Sequence, residues 1–306
     1  MAAKVGTGVH MTKVRSGDAS MIDDRRGSGG GGGFGLGRGG GFPFPMKAGG
    51  GVLGVIVLLA SLLLPKLLGN SPTAAGVPQP VDRSDSSTAD TCTSDLEQVV
   101  CGATLDVQNY WQANLPTFFG TTYEVTKTVF YTDAVSTGCG NATSQTGPFY
   151  CPLDHLVYID LGFLQALEQQ LVGAPTDLAE QYIIAHEYGH HVQNLLGIND
   201  QVQQAQQNDP GRANQYSVAM ELQADCYAGV WVGDAASRGL LEAPNEINEA
   251  LAAAEGVGDD RIQEKMQGRI DKEAWTHGSA EQRQSWFTRG YNTGDARQCD
   301  TFSEVL

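Results

Sequence analysis

Two histidines and a glutamate near the middle of the chain have the spacing of a metal-binding motif. His186, Glu187 and His190 form the pattern HExxH within residues 177–196, whose apolar spacing predicts a helix. Side chains four residues apart on a helix lie about 40° apart around its axis, so both imidazoles project from one face. Two neutral imidazole nitrogens on one face can bind a single Zn²⁺. Glu187 then lies where the general base for a zinc-bound water belongs.

A catalytic zinc needs a third protein ligand, and the next long predicted helix offers one. The metzincin pattern HExxHxxGxxH fails here, because Gln193 replaces its glycine and Leu196 its last histidine. Glu221 and Asp225, in the segment ELQAD, are again four residues apart and share a helix face. We predict that Glu221 completes a His₂Glu site with an open fourth position. Asp225 is predicted to accept a hydrogen bond from the outer nitrogen of a ligand histidine. The alternative is an ordinary polar helix face.

A third histidine is a candidate for stabilising the reaction. Peptide hydrolysis generates an oxyanion, and His277 in the segment THGSAEQR could donate a hydrogen bond to it. The alternative is a structural role for this segment, with Ser279 capping the last helix. Tyr216 and Tyr291 are weaker candidates for the same donor.

The elements that must position these residues predict an α+β domain, dominated by helices after a small sheet. Alternating and β-branched residues predict strands at 121–131 and 156–160, with a loop between Cys139 and Cys151. Apolar spacing predicts helices at 94–115, ended by Pro116, and at 161–172, 177–196 and 212–238. Shorter helices are predicted at 244–254, 259–267 and 281–289.

Length and composition indicate one substantial domain with additional segments. The 306 residues are 41% hydrophobic, which suffices for a globular core. The formal net charge of −16 argues against a nucleic-acid-binding protein, because such binding relies on neutralising phosphates. Residues 1–47 differ from the rest, since they carry a net charge of +4 and are mostly glycine from Gly27 to Gly41. We predict that this arm is disordered.

An uncharged apolar segment follows the arm, at residues 48–65. As a helix it would be about 27 Å long, close to the roughly 30 Å hydrocarbon core of a bilayer. We predict a single transmembrane helix here and a linker at residues 66–91. A buried core helix and a cleaved signal peptide are the alternatives. The basic arm and the acidic remainder predict a cytoplasmic N-terminus and an extracytoplasmic domain at residues 92–306.

Cysteine usage agrees with an oxidising location for this domain. All six cysteines follow the predicted span, and an even number outside the cytoplasm indicates disulfides, with buried free thiols as the alternative. No CxxC pair occurs, so a cysteine-ligated zinc site is not expected. The expected pairs are Cys92–Cys101, Cys139–Cys151 and Cys226–Cys299.

The sequence resembles the neutral zinc metallopeptidase family of bacterial membrane-anchored proteins, a zincin group of gluzincin type. The resemblance covers about residues 90–300 and, in outline, the arm and the anchor. At the HExxH and ELQAD positions no residue departs from the family's pattern. It implies zinc-dependent peptide hydrolysis and a gluzincin-like fold. The segments that carry it are AHEYGHHVQ at 185–193, ELQADCYAG at 221–229, HGSAEQR at 277–283, and the stretch from Tyr150-Cys151-Pro152 to Tyr158-Ile159-Asp160.

Together these features predict a membrane-anchored, zinc-dependent metalloendopeptidase. Its cofactor would be Zn²⁺, its substrate a peptide or protein, and its other partner a lipid bilayer at residues 48–65. Glu187 would take a proton from the zinc-activated water and pass it to the leaving amine. Two alternatives remain open. One is a zinc-stabilised extracytoplasmic binding or scaffold domain without catalysis, against which Glu187 argues. The other is hydrolysis of a non-peptide envelope substrate by the same residues.

Overall fold

Helices dominate the protein, whose computed structural model describes residues 14–27, 91–171, 177–241, 247–256, 258–261, 263 and 270–305. This part of the chain has the predicted α+β class. The helices are α1 (Asp95–Phe119), α2 (Leu161–Leu171), α3 (Asp177–Leu195), α4 (Ile198–Asn208), α5 (Ala213–Ser237), α6 (Ile247–Gly256), α7 (Ala280–Thr293) and α8 (Thr301–Val305). The strands are β1 (Ile22–Asp24), β2 (Thr128–Tyr131), β3 (Ala134–Thr137), β4 (Gly140–Thr143), β5 (Phe149–Cys151) and β6 (Leu156–Asp160).

Four strands form one sheet in the order β1-β2-β6-β5, and β3 and β4 form a separate hairpin. Strands β1, β2 and β6 are parallel, whereas β5 is antiparallel to β6 at the edge. Successive side chains of a strand point to opposite faces. Phe130 of β2 therefore joins the main core with the helices, whereas Val129 and Tyr131 pack with Tyr158 in a smaller cluster. The sheet is covered by apolar side chains on both faces.

Glycines bring together the helices that carry the candidate site. A Cβ atom added at Gly189 of α3 would lie 3.0 Å from the backbone of Ala224 in α5. One added at Gly229 of α5 would lie 2.0 Å from the carbonyl oxygen of Phe287 in α7. Larger residues at these positions would push the helices apart, so the three helices depend on glycine for their close packing.

The three disulfides have the predicted pairing, Cys92–Cys101, Cys139–Cys151 and Cys226–Cys299. The first pair holds the start of α1, and the second joins the β3–β4 hairpin to β5. The third joins α5 to the segment between α7 and α8, across 73 residues of sequence. The helix with the ELQAD segment is therefore tied covalently to the C-terminal part of the chain.

The N-terminal segment at residues 14–27 corrects the prediction of a disordered cytoplasmic arm, because this part of the arm belongs to the folded domain. Strand β1 pairs with β2, and Gln181 of α3 donates from Nε2 to the carbonyl oxygen of Val14 at 3.1 Å. Arg15 binds Asp177 with a shortest nitrogen–oxygen distance of 2.7 Å. A Cβ atom at Gly102 of α1 would lie 2.7 Å from the Cα of Arg15, so this glycine gives the segment room. The glycine-rich composition of residues 27–41 predicted disorder for the whole arm and gave no indication of these contacts.

The predictions of a transmembrane helix and of a single-pass membrane protein are wrong. Residues 48–65 lie outside the described residues, and within the described part of the chain no helix has the length and apolar character needed to span a bilayer. A single crossing there would also separate residues 14–27 from residues 91–305. Instead β1 and β2 pair in one sheet, and Thr91 Oγ1 donates to the Asp24 carboxylate at 2.8 Å.

Several predicted elements are confirmed and others need correction. The strand at 156–160 and the helices at 161–172, 177–196, 212–238, 244–254 and 281–289 occur within a few residues of their predicted bounds. Pro116 does not end α1 as predicted, since the helix continues to Phe119. It closes with a hydrogen bond from the Gly120 N–H to the Pro116 carbonyl. Only residues 128–131 of the predicted strand at 121–131 pair with neighbours. The predicted loop before Cys151 contains β4 and the start of β5. The predicted helix at 259–267 lies partly outside the described residues.

Candidate metal centre

Three buried side chains from two helices converge on one point between α3 and α5. His186 and His190 come from α3 and Glu221 from α5, and one potential ligand atom from each lies within 4.8 Å of the others. His186 Nε2 is 3.2 Å from Glu221 Oε2, and His190 Nε2 is 3.6 Å from Glu221 Oε1. Neighbouring ligand atoms of a tetrahedral zinc lie about 3.4 Å apart, given zinc–ligand distances of about 2.1 Å. The distances and the donor types fit a single zinc-sized ion.

The outer nitrogen of His186 is held by a buried charged network. Its Nδ1 lies 2.8 Å from Oδ1 of Asp225, which is fully buried and also accepts a 2.6 Å hydrogen bond from the Tyr182 hydroxyl. Arg283 of α7 binds the same carboxylate with two nitrogens, at 2.7 and 2.8 Å. Asp225 therefore contacts the histidine as its spacing predicts. Tyr182 and Arg283 were not predicted. Arg283 lies in the HGSAEQR segment, but nothing in its spacing indicates its partner.

The outer nitrogen of His190 is held by a neutral side chain. Its Nδ1 lies 2.8 Å from Oε1 of Gln193, one helical turn further along α3. Gln193 was noted in the sequence only as a departure from the metzincin pattern, and this contact was not predicted. Both candidate ligand histidines therefore have a partner on Nδ1, which leaves each Nε2 directed at Glu221.

The ligand side chains have strongly shifted pKa values. Burial alone would lower the pKa of His186, but the Asp225 carboxylate outweighs it and raises that pKa to about 10. Burial would raise the pKa of Glu221, but the neighbouring imidazoles, with His190 first among them, hold it well below its usual range. Without a metal, the region is therefore an anionic carboxylate facing a protonated imidazole. A bound divalent cation would take the place of that proton.

Glu187 lies beside the ligands as a buried carboxyl group. Burial raises the pKa of Glu187 above its usual value, although the adjacent imidazoles and the nearby backbone N–H of Tyr150 in β5 oppose the shift. The position of Tyr150 is set in turn by α3, because the Tyr150 hydroxyl contacts His191 Nδ1 at 3.0 Å and accepts from Asn194 at 3.1 Å. Burial lowers the pKa of His191 to about 4, so this histidine is neutral and structural.

His277 is buried near the candidate ligands and is held by a carboxylate. Its backbone N–H donates to Asp259 Oδ2 at 2.6 Å, and its Nδ1 lies 3.2 Å from Asp259 Oδ1. His277 is also among the neighbours that lower the pKa of Glu221. Ser279 caps α7 through a capping box with Gln282, as the alternative for this segment predicts, whereas the donor role of His277 stays a prediction. Asp259 is a partner that the sequence did not indicate.

Tyr216 and Tyr291 lie at other places in the fold. Tyr216 lines a cavity of about 770 Å³ together with Val202 and Phe302, and its ring is covered by Arg212. The backbone of Tyr291 packs against glycines of α5. The oxyanion role of Tyr216 and Tyr291 stays a prediction.

The sequence matches a family whose description agrees with this ligand set. The chain belongs to the family described as "Putative neutral zinc metallopeptidase", which it matches over residues 11–302. The match confirms the family resemblance, and it includes the N-terminal segment that packs on the domain.

Relatives of the chain occur in Escherichia coli and Mycobacterium tuberculosis. "Uncharacterized protein YpfJ" of Escherichia coli strain K12 is 42% identical over 258 residues, which are 83% of this chain and 88% of the relative. "Uncharacterized protein Rv2575" of Mycobacterium tuberculosis strain H37Rv is 52% identical over 182 residues, which are 56% of this chain and 61% of the relative. No solved structure is significantly similar to the chain.

Proposed function

We propose that this protein is a zinc-dependent metalloendopeptidase. Two imidazoles and one carboxylate, here His186, His190 and Glu221, are a ligand set of catalytic zinc sites that keep a fourth position open. Zinc bound there would polarise the scissile carbonyl and lower the pKa of a water. The observation that carries the proposal is the buried carboxyl group of Glu187 beside these ligands. A closed structural site does not need a base at this position.

Glu187 is assigned the proton transfers. Its raised pKa brings the carboxyl group closer to the pH at which it can both accept and return a proton. Glu187 accepts a proton from the attacking water and then gives it to the nitrogen of the leaving amine.

His277 is assigned the hydrogen bond to the oxyanion. Asp259 accepts from Nδ1 of His277 and from its backbone N–H, which fixes the ring, so Nε2 donates to the oxyanion only while the imidazole is protonated. Because His277 is among the neighbours that lower the pKa of Glu221, its imidazole lies close to the ligand cluster. The His277 side chain thus supports a reaction in which negative charge develops beside the metal.

Strand β5 favours a peptide as the substrate. It is an edge strand of the sheet, antiparallel to β6, and the backbone of Tyr150 lies near Glu187. Extended peptides bind at strand edges through backbone hydrogen bonds. We therefore expect the scissile peptide to lie along β5, with its carbonyl next to Glu187.

The test compares Glu187→Gln with the wild-type chain. We expect the variant to keep its zinc and to lose at least about 100-fold in hydrolysis of a fluorogenic peptide library, in the range of general-base removal. Glu281→Gln, the same change at an exposed position of α7, serves as the control and should retain activity. Zinc content is measured by mass spectrometry, and a chelator should abolish wild-type hydrolysis.

Two outcomes would contradict the proposal. Hydrolysis that survives in Glu187→Gln, or in the chelated wild type, would exclude this mechanism. A zinc-loaded wild-type chain that cleaves no library peptide would instead favour a zinc-stabilised binding domain.

A further inference from the structure

Gln193 uses every polar atom of its side chain in a buried network. It lies on α3 and is fully buried. Its Oε1 faces His190 Nδ1 at 2.8 Å, and its Nε2 donates to the carbonyl oxygen of Met220 at 2.8 Å and to Oε1 of Gln223 at 3.1 Å. A glutamine amide offers two donors and one acceptor oxygen, so all three functions are engaged.

The carbonyl of Met220 fixes which way the amide points. A backbone carbonyl only accepts hydrogen bonds, so the NH₂ group of Gln193 must face Met220 and its oxygen must face His190. Because that oxygen only accepts, Nδ1 of His190 must carry the proton. In the neutral ring that binds a metal, the lone pair then lies on Nε2, the nitrogen directed at Glu221.

The same amide ties the second histidine to the helix of the third ligand. Met220 directly precedes Glu221 on α5, so one side chain joins His190 to the backbone at the candidate carboxylate ligand. Gln223 extends the connection, since its Nε2 donates to the carbonyl oxygen of Cys299 at 2.9 Å. Cys299 is in turn bonded to Cys226 of α5.

We propose that Gln193 is a positioning residue of the metal centre. It selects the His190 tautomer that binds a metal through Nε2, and it fixes the distance between His190 and Glu221 by binding the backbone of α5. This inference rests on metal binding at the candidate centre, which the proposed function includes, but it does not depend on peptide hydrolysis.

The experiment measures zinc affinity of the full chain by competition with a chelator of known affinity. Gln193→Leu keeps the approximate volume and removes all three hydrogen bonds. We expect it to weaken zinc binding about 10–100-fold, as loss of a ligand's outer hydrogen bond does in other zinc sites. The matched control is Gln108→Leu. Gln108 is a buried glutamine of α1 whose Oε1 accepts from the Thr126 N–H, and its loss should leave zinc affinity within about threefold of wild type.

A second variant and a second readout separate positioning from folding. Gln223→Leu keeps the contacts of Gln193 with His190 and Met220, so we expect a loss of affinity smaller than that of Gln193→Leu. In nuclear magnetic resonance spectra of the zinc-loaded wild-type chain, the Nδ1 proton of His190 should be protected from exchange with water. The same protection should be seen in Gln223→Leu. If Gln193→Leu does not fold, a rapidly exchanging Nδ1 proton in the zinc-loaded wild type overturns the inference.

The remaining outcomes are also decisive. A folded Gln193→Leu chain that binds zinc as tightly as wild type overturns the role of Gln193 and leaves the proposed function standing. A wild-type chain that binds no zinc overturns the proposed function and this inference together.

Discussion

The two halves of the metal centre are built from different chemistry. His186 is held through Nδ1 by a charged network of Asp225, Arg283 and Tyr182, which comes from three helices and is buried throughout. His190 is held through Nδ1 by the neutral amide of Gln193. A buried ion pair is costly to break, because the remaining partner is left charged and unpaired. A broken neutral contact leaves only unsatisfied hydrogen-bonding groups, which cost less. The charged half should therefore dominate stability.

The largest expected effect comes from removing the cation of the charged half. Arg283→Met removes the arginine that binds both oxygens of the buried Asp225 carboxylate and leaves the His186 imidazole as its cationic neighbour, and we expect it to lower the free energy of unfolding by about 3–5 kcal/mol. Chemical denaturation of the metal-free chain measures this loss. Arg238→Met is the control, because Arg238 pairs with Asp106 at the surface and its loss should cost no more than about 1 kcal/mol. Equal losses for the two variants would remove the distinction between buried and exposed pairs.

Zinc affinity sharpens the comparison between the halves. Asp225→Asn keeps the shape of the side chain but removes the charge that makes His186 more basic, and we expect zinc binding to weaken about 10–100-fold. The loss should exceed that of Gln193→Leu, because an amide raises the basicity of its imidazole less than a carboxylate does. Competition titrations under identical conditions give the order. The reverse order would mean that the neutral half controls the metal.

The smallest effect concerns a single hydroxyl. Tyr182→Phe removes the hydrogen bond to Asp225 and the longer one that the hydroxyl accepts from Arg283 at 3.3 Å, while the ionic contacts between Asp225 and Arg283 remain. We therefore expect a loss of about 1.5 kcal/mol in the free energy of unfolding. Tyr216→Phe, at the separate cavity, should change it by less than about 0.5 kcal/mol. Thermal or chemical unfolding distinguishes the two. A loss for Tyr182→Phe as large as that for Arg283→Met would show that the network does not depend on charge.

The residues that were predicted correctly as neighbours are those with regular spacing. His186, His190 and Asp225 follow from four-residue intervals on helices, because such intervals fix a shared face before the fold is known. Glu221 required the further assumption that two predicted helices pack together, which the glycine at position 189 permits. Partners without such spacing were not predictable. Arg283 meets Asp225 across 58 positions, and no periodicity indicates that contact.

The N-terminal segment at residues 14–27 shows a second limit of prediction from the sequence. Arg15 meets Asp177 across 162 positions, and β1 has only three residues. The glycine-rich composition that follows the segment suggested disorder for the whole arm, because averaged composition does not register a few specific contacts. Its parallel pairing with β2 depends on a partner more than 100 residues away, which local alternation does not reveal.

The central claim is that His186, His190 and Glu221 bind one zinc ion. Crystals of the full chain grown with zinc, with anomalous data collected on both sides of the zinc absorption edge, test it most directly. We predict one anomalous peak per chain, at about 2.0–2.2 Å from Nε2 of both histidines and from a Glu221 oxygen. A zinc peak at other residues, or none at this position, would contradict the account.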